Sequence, residues 1–247
     1  MRALYMAYTF PPVSTGSAPM NLKVTGLLAE NGWKTTVVTP EYAGGLPRDD
    51  SLLNLLHRDV EVVRRGSVMA GSRRSAADSP GPWRRSAPRR ILRRFLLETC
   101  LQPDRYAVWI PPAVFASLKA LRSRKHDLIL SLGPPHSVHL SGMICSVLTG
   151  LPWVAWFGDL WLNDGFTVWE SFSPARRYWS RVMERLVVRR CDGILTTTEG
   201  SSRYFTKAYP GFCPPVHTQW NGATREEIRN NWNPEPPAFT GERLVVT

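Results

Sequence analysis

The segment that most constrains the fold is Pro152-Trp153-Val154-Ala155-Trp156-Phe157-Gly158-Asp159-Leu160-Trp161. A short, unbroken apolar run closes on a glycine, a carboxylate and a large aromatic. An amphipathic surface strand would alternate. A continuous run bounded by turn signals suits a strand covered on both faces, as in a parallel sheet. In open α/β sheets ligands sit just beyond the carboxyl ends of such strands, and there Asp159 and Trp161 fall.

The rest of the chain repeats this grammar. Arg2–Tyr8 reads as a first strand, followed by a Pro- and Gly-rich loop from Pro11 to Pro19. Ser17 is placed to cap a helix whose second residue is Pro19. Met20, Val24, Leu27 and Leu28 form its apolar face, and Asn31-Gly32 ends it. Lys34–Thr39 and Val60–Arg64 read as the next strands. Val114, Leu118 and Leu121 mark a further helix. Asp127–Leu132 is a strong buried strand. Ser137 then caps a helix whose inner residues are Leu140, Ile144, Val147 and Leu148. After the strand at Trp153–Phe157, Ser173-Pro174 opens a long helix with Tyr178, Val182, Met183, Leu186 and Val187 on one side. Gly193–Thr197 is a strand, Thr198–Ser201 leads into a short helix, and a weaker strand ends at Asn221-Gly222. Strands alternating with helices predict right-handed βαβ units: an α/β, Rossmann-like parallel sheet with helices on both faces. We expect one such domain over residues 1–231. Residues 232–247 then form a linker and the opening strand of a second domain, read from Arg243–Thr247.

The formal net charge of +11 is unevenly placed. Between Arg64 and Arg105 lie eleven arginines against Asp78, Glu98 and Asp104. This stretch reads as a basic insertion, mobile over 66–90 and helical over 89–101, where Arg89, Arg90, Arg93 and Arg94 gather opposite Ile91, Leu92, Phe95 and Leu96. Two readings stand beside each other: a helix lying on an anionic membrane, or a core-packed helix with a solvated arginine face. Nucleic acid is the other possible anionic partner, but no nucleic-acid-binding motif accompanies the charge. The four cysteines lack metal or redox spacing and read as buried thiols of a reducing compartment. No run reaches the 18 apolar residues of a membrane span, and the N-terminus is not a signal peptide. We therefore expect a cytoplasmic protein, docked on the inner face of the plasma membrane if the basic helix binds lipid.

A Gly-x-Gly-x-x-Gly fingerprint is absent after the first strand, as is a P-loop, which argues against an NAD enzyme or P-loop ATPase. The first strand leads instead to Thr15-Gly16-Ser17 at a helix N-terminus, where backbone N–H groups and the helix dipole favour an anion. An ordinary loop glycine and cap would look the same. His136 comes after Gly133-Pro134-Pro135 and could contact a sugar or phosphate or carry a proton, or be a plain loop histidine. Asp159 and Trp161 could orient a polyhydroxyl acceptor through hydrogen bonds and a flat apolar face, or be a cap and a core indole. Glu199 and Asn221 could be first-turn and turn residues. Neither a catalytic triad nor a metal cluster is readable, and no cofactor is expected.

Taken in order, these segments resemble the N-terminal half of GT-B retaining glycosyltransferases of the glycosyltransferase 4 family. The marks are the Phe10-Pro11-Pro12 loop with Gly16; Leu28-Ala29-Glu30-Asn31-Gly32-Trp33; Asp127 through Pro135; Gly150 through Trp161; Met183-Glu184 with Cys191 through Glu199; and Gln219-Trp220-Asn221-Gly222. The resemblance implies sugar transfer from a nucleotide-sugar donor to an acceptor hydroxyl, with retention, the acceptor being a cell-surface polysaccharide or a lipid-linked glycan precursor. Gly16 and Ser17 would meet the donor diphosphate. His136 and Asp159 would be the catalytic pair; Trp161, Glu199 and Asn221 would border the acceptor. The chain departs from the family at Thr15-Gly16-Ser17, where Gly-Gly is common, at Gly158, where Arg is common, and at Thr224. On this resemblance the family's donor-binding C-terminal domain is expected to be missing from these 247 residues. The implied partner is therefore either that domain or a separate donor-binding subunit, in which case this chain is a non-catalytic, membrane-docking member of a split enzyme. Alone, it should bind donor weakly and turn over little.

Overall fold

The computed structural model describes residues 1–14, 16–41, 46–67, 102–162 and 173–222. Seven strands form one sheet: β1 (Arg2–Ala7), β2 (Lys34–Glu41), β3 (Val60–Ser67), β4 (Leu128–Gly133), β5 (Trp153–Phe157), β6 (Gly193–Thr196) and β7 (Val216–Thr218). The order is β3-β2-β1-β4-β5-β6-β7, and every pairing is parallel. Among the described residues five helices connect them: α1 (Ala18–Glu30), α2 (Ile110–Ser123), α3 (Ser137–Thr149), α4 (Pro174–Arg190) and α5 (Glu199–Ala208). Short 3-10 turns occupy Asp50–Leu55 and Arg105–Trp109. This is a doubly wound sheet whose direction of growth reverses between β1 and β4.

The strands explain themselves. β1 is buried from Ala3 to Ala7, β2 from Thr35 to Pro40, and β4 from Ile129 to Gly133. Such runs bury apolar side chains on both faces, so the core has two parts. One holds Tyr5, Phe10, Val37, Leu130, Leu132 and Trp156 on the α1 side. The other holds Leu4, Met6, Trp109, Ile129, Trp153 and Phe157 beneath α2–α5. β3 runs three residues beyond the expected Arg64, paired with β2 across a register shift between Thr39 and Glu41. Cys145 and Cys191 are buried free thiols whose pKa burial pushes up to about 11 and about 12; Cys213 is half-buried.

The helix faces differ from those expected. α1 turns Ala18, Asn21, Leu22, Thr25 and Ala29 inward, while Leu27 is exposed. α3 buries Val138, His139, Ser141, Gly142 and Cys145, leaving Val147 and Leu148 60% and 62% exposed. α2 buries Ala113, Ala116 and Ser117. α4 buries Ser180, Glu184, Val187 and Val188 and exposes Tyr178 and Leu186. The cause is close approach. A Cβ on Gly142 would stand 2.6 Å from the Trp153 indole nitrogen, so α3 touches the sheet through its smallest residues. His139 enters the same layer hydrogen-bonded: its Nδ1 lies 2.9 Å from the Ser131 hydroxyl, to which the Trp153 indole N–H donates at 2.8 Å.

The helix ends match the sequence in part. The Ser173 hydroxyl accepts from the Arg176 N–H at 3.2 Å, and Thr198 caps α5 by accepting from the Ser201 N–H at 3.1 Å. Gly150, at φ 70°, closes α3. Ser17 and Ser137 do not act as expected. The Ser17 side chain makes no capping bond to α1, and α3 has His136 rather than Ser137 at its cap position. The basic helix with Arg89, Arg90, Arg93 and Arg94, and the segment 232–247, lie outside the described residues.

Candidate functional site

The first wall of the site is the loop after β1. Phe10 through Val13 are buried, which is unusual for a loop and requires its backbone to find partners. Val13 bridges Arg48, the Ser14 N–H donates to the Pro47 carbonyl at 3.1 Å, and the Asp49 N–H donates to the Pro12 carbonyl at 2.8 Å. The Arg64 guanidinium donates to the Pro11 carbonyl. Gly16 is exposed and left-handed at φ 63°, a conformation that favours glycine. The Ser17 hydroxyl is held by the Thr9 hydroxyl at 2.8 Å, which is why it does not cap α1. Below them Asn21, buried within α1, accepts from the Tyr5 hydroxyl at 2.7 Å and donates to the Thr9 carbonyl at 2.6 Å. A satisfied buried amide of this kind fixes the loop's start and the helix relative to β1.

The opposite wall is built where β4, β5 and β6 end. The Gly158 N–H donates to the Gly133 carbonyl at 2.7 Å, and the Thr197 hydroxyl donates to the Gly158 carbonyl at 2.8 Å. A Cβ at residue 158 would stand 2.9 Å from the Gly133 oxygen. The arginine common in the resembling family has no place on this backbone. Asp159 comes next and is exposed at the rim.

The α3 N-terminus offers no open anion site. The Asp104 carboxylate accepts from the Ser137 N–H at 3.0 Å and from the Tyr106 N–H at 2.9 Å, joining α3 to the 3-10 turn before α2. Burial pushes the Asp104 carboxyl upward in pKa, and the bonds from Ser137 and Tyr106 oppose that rise. His136 is half-buried. Its ring stacks on Trp161 with centroids 5.0 Å apart and planes 3° from parallel. Trp161 is itself buried in the core beneath α2–α5. The indole face expected to meet an acceptor is thus covered by His136. Glu199 opens α5, is exposed, and lies 3.5 Å from Arg203 one turn on.

Between the walls is a cleft of about 680 Å³, over the C-terminal ends of β1, β4 and β5 at the point where strand order reverses. Of the sequence candidates, Gly16, Ser17, Asp159 and Asn221 line it together; His136, Trp161 and Glu199 do not. Sequence reasoning missed Lys23 and Tyr106, which also line it. Lys23 lies four residues after Pro19 and three after Met20, the spacing that brings helical side chains to one face. Tyr106 left no comparable signal. One wall therefore carries a lysine beside an exposed loop glycine and a helix N-terminus, which suits an anion. The other carries a carboxylate and an amide, which suit hydroxyl groups. Among the described residues no group of His, Cys, Asp and Glu could hold a metal ion, and no helix is long and apolar enough to cross a membrane.

A doubly wound parallel sheet with a cleft over its switch point defines a Rossmann-like domain of the kind that forms half of a GT-B architecture. A family model described as a glycosyl transferase 4-like domain matches residues 15–218, and the chain belongs to that family. No curated protein matches it in sequence. Among solved structures it is similar to a sucrose-phosphate synthase from Thermosynechococcus elongatus (TM-score 0.58, 11% identity, covering 90% of this chain and 48% of that one). It is also similar to Phytolacca americana UGT2 (TM-score 0.54, 10% identity, 92% of this chain and 53% of that one) and to a Polygonum tinctorium UDP-glucosyltransferase (TM-score 0.52, 11% identity, 92% and 55%). The chain spans about half the length of these structures.

Proposed function

We propose that this chain is the acceptor-side half of a retaining glycosyltransferase, which moves a sugar from a nucleotide-sugar donor to the hydroxyl of a polysaccharide or lipid-linked glycan precursor. The observation that carries the reading is the cleft's division into two chemistries: Gly16, Ser17 and Lys23 on one wall, Asp159 and Asn221 on the other. The donor diphosphate would lie against the first wall, with the Lys23 ammonium and the N–H groups of the Gly16–Ser17 loop offsetting its charge. The Ser17 hydroxyl, being bonded to Thr9, would contribute through its backbone. Asp159 and Asn221 would orient acceptor hydroxyls by accepting and donating hydrogen bonds. The stacked His136–Trp161 pair would act at one remove, by fixing the backbone around Pro135 that lines the cleft.

In this reading the domain supplies positioning and charge stabilisation. A donor phosphate oxygen takes the acceptor proton on the face from which the nucleotide leaves. No pair of flanking carboxylates is then required, in contrast to glycosidases. The family match and the Phytolacca americana UGT2 structure in complex with UDP-2fluoro-glucose and pterostilbene support a nucleotide-sugar reading at the level of fold.

The test is a panel of nucleotide sugars and glycan acceptors, with binding to the chain tracked by saturation-transfer NMR and product anomers read by proton NMR. Lys23→Ala should weaken donor binding at least tenfold, and Asp159→Ala should weaken acceptor binding. A product of inverted configuration would remove the retaining assignment. Donor and acceptor binding indifferent to both substitutions would remove the site.

A further inference from the structure

The outward face of α4 has an unusual composition. The helix buries Ser180, Glu184, Val187 and Val188. On the opposite side Tyr178, Trp179 and Leu186 are 61%, 46% and 42% exposed. Tyr178, half-buried Val182 and Leu186 succeed one another at intervals of four, so they form a continuous stripe along the helix. Arg181, Arg189 and Arg190 are exposed beside that stripe; Arg185, also exposed, sets its guanidinium over the Phe212 ring, 5.0 Å from the centroid. The helix's one carboxyl, Glu184, faces inward onto the Tyr204 and Tyr209 hydroxyls. Among the described residues no carboxylate pairs with any of these four arginines. The face therefore joins large apolar side chains to unneutralised positive charge. A monomeric surface does not need that combination.

The position of this face is equally specific. The C-terminal end of α4 is tied to the start of β5 by reciprocal bonds. The Asp192 N–H donates to the Trp153 carbonyl at 2.8 Å, and the Trp153 N–H donates to the Asp192 carboxylate at 2.8 Å. From there the helix runs back along the sheet. Its seventeen residues span about 25 Å, whereas the five residues of β5 span about 17 Å. The first turns of α4, which carry Tyr178 and Trp179, thus reach the end of the sheet that holds the cleft.

We infer that this face of α4 docks on a lipid bilayer containing anionic phospholipid, with the cleft end of the sheet at one edge of the docked face. Charge complementarity selects an anionic surface. The stripe selects lipid over nucleic acid: Tyr and Trp rings settle at headgroup depth, Leu186 and Val182 add apolar area, and the arginine stems lie along that area with their guanidinium groups in the headgroups. Phosphate recognition alone would leave the aliphatic side chains without a role. The inference uses none of the arginines at 89–94 and does not depend on glycosyl transfer.

The full chain should co-sediment with phosphatidylcholine vesicles that contain phosphatidylglycerol, not with phosphatidylcholine alone, and should be released by salt. A Tyr178→Ser, Trp179→Ser, Leu186→Ser variant should lose at least tenfold in partitioning. An Arg181→Gln, Arg189→Gln, Arg190→Gln variant should lose as much. Because these side chains are exposed, both variants should melt as the parent does. Brominated lipid should quench the fluorescence of Trp179, read as the difference from Trp179→Phe. Three outcomes would overturn the inference: unchanged vesicle binding by both variants; loss of binding only when Arg89, Arg90, Arg93 and Arg94 are replaced by Gln; or equal binding of an oligonucleotide that the triple Ser variant retains.

Discussion

Replacing Glu184 by glutamine should stabilise the domain above neutral pH and change little in acid. Glu184 is fully buried between α4 and α5, where its Oε1 accepts from the Tyr204 hydroxyl at 3.0 Å and from the Tyr209 hydroxyl. Burial pushes its pKa from the usual 4.5 up to about 7, against the pull of the Tyr209 and Tyr204 hydrogen bonds. In the unfolded chain the carboxyl titrates near its ordinary value. Between about pH 4.5 and about pH 7 the folded protein therefore holds a proton that the unfolded chain has released. Stability falls as pH rises through that window, because the unfolded state there binds fewer protons. Above it the folded carboxyl is ionised, and the whole cost of keeping the charge buried is present. At about 1.4 kcal/mol per pH unit that cost is about 3 kcal/mol. Glutamine is neutral throughout, and its side-chain oxygen still accepts from both tyrosines. Urea unfolding at about pH 5 and about pH 8 should show a small difference between parent and variant in acid, widening to about 3 kcal/mol in favour of Glu184→Gln in base. A difference of the same size at both pH values would refute the reasoning, since it would mean that Glu184 has one charge state across the range.

Two further substitutions probe the site's frame. Gly158→Ala should lower stability by about 1–3 kcal/mol, because its Cβ would meet the Gly133 carbonyl at 2.9 Å; an unchanged thermal midpoint would show that β4 and β5 can part there at no cost. Asp104→Asn turns one of the two oxygens that accept the Ser137 and Tyr106 N–H groups into an NH2 group, which cannot accept. It should cost about 1–2 kcal/mol, read by thermal unfolding, because one of those backbone donors is left without its partner.

The sequence by itself determined the sheet. Fully buried parallel strands read as apolar or β-branched runs, and Trp153–Phe157, Asp127–Leu132 and Lys34–Thr39 stood out because, after the charged residue that opens two of them, only Ser131 and the β-branched threonines interrupt the apolar residues. It also marked the stops and starts whose chemistry is local, among them Asn31-Gly32, Ser173 and Thr198. Tertiary structure decided which side of each helix faces inward. Periodicity reports large apolar residues, but helices lying close against a sheet approach it through small ones. Gly142 and Cys145 in α3, and Ala113 and Ala116 in α2, are therefore buried, while Val147 and Leu148 remain outside. Only the fold could separate Asp159, open at the rim, from Trp161 two residues later, buried behind His136. Only the fold could bring Gly16, Lys23, Asp159 and Asn221, spread along the chain, to one cleft. The reversal of strand order between β1 and β4 is a property of long-range pairing, and no local run of residues encodes it.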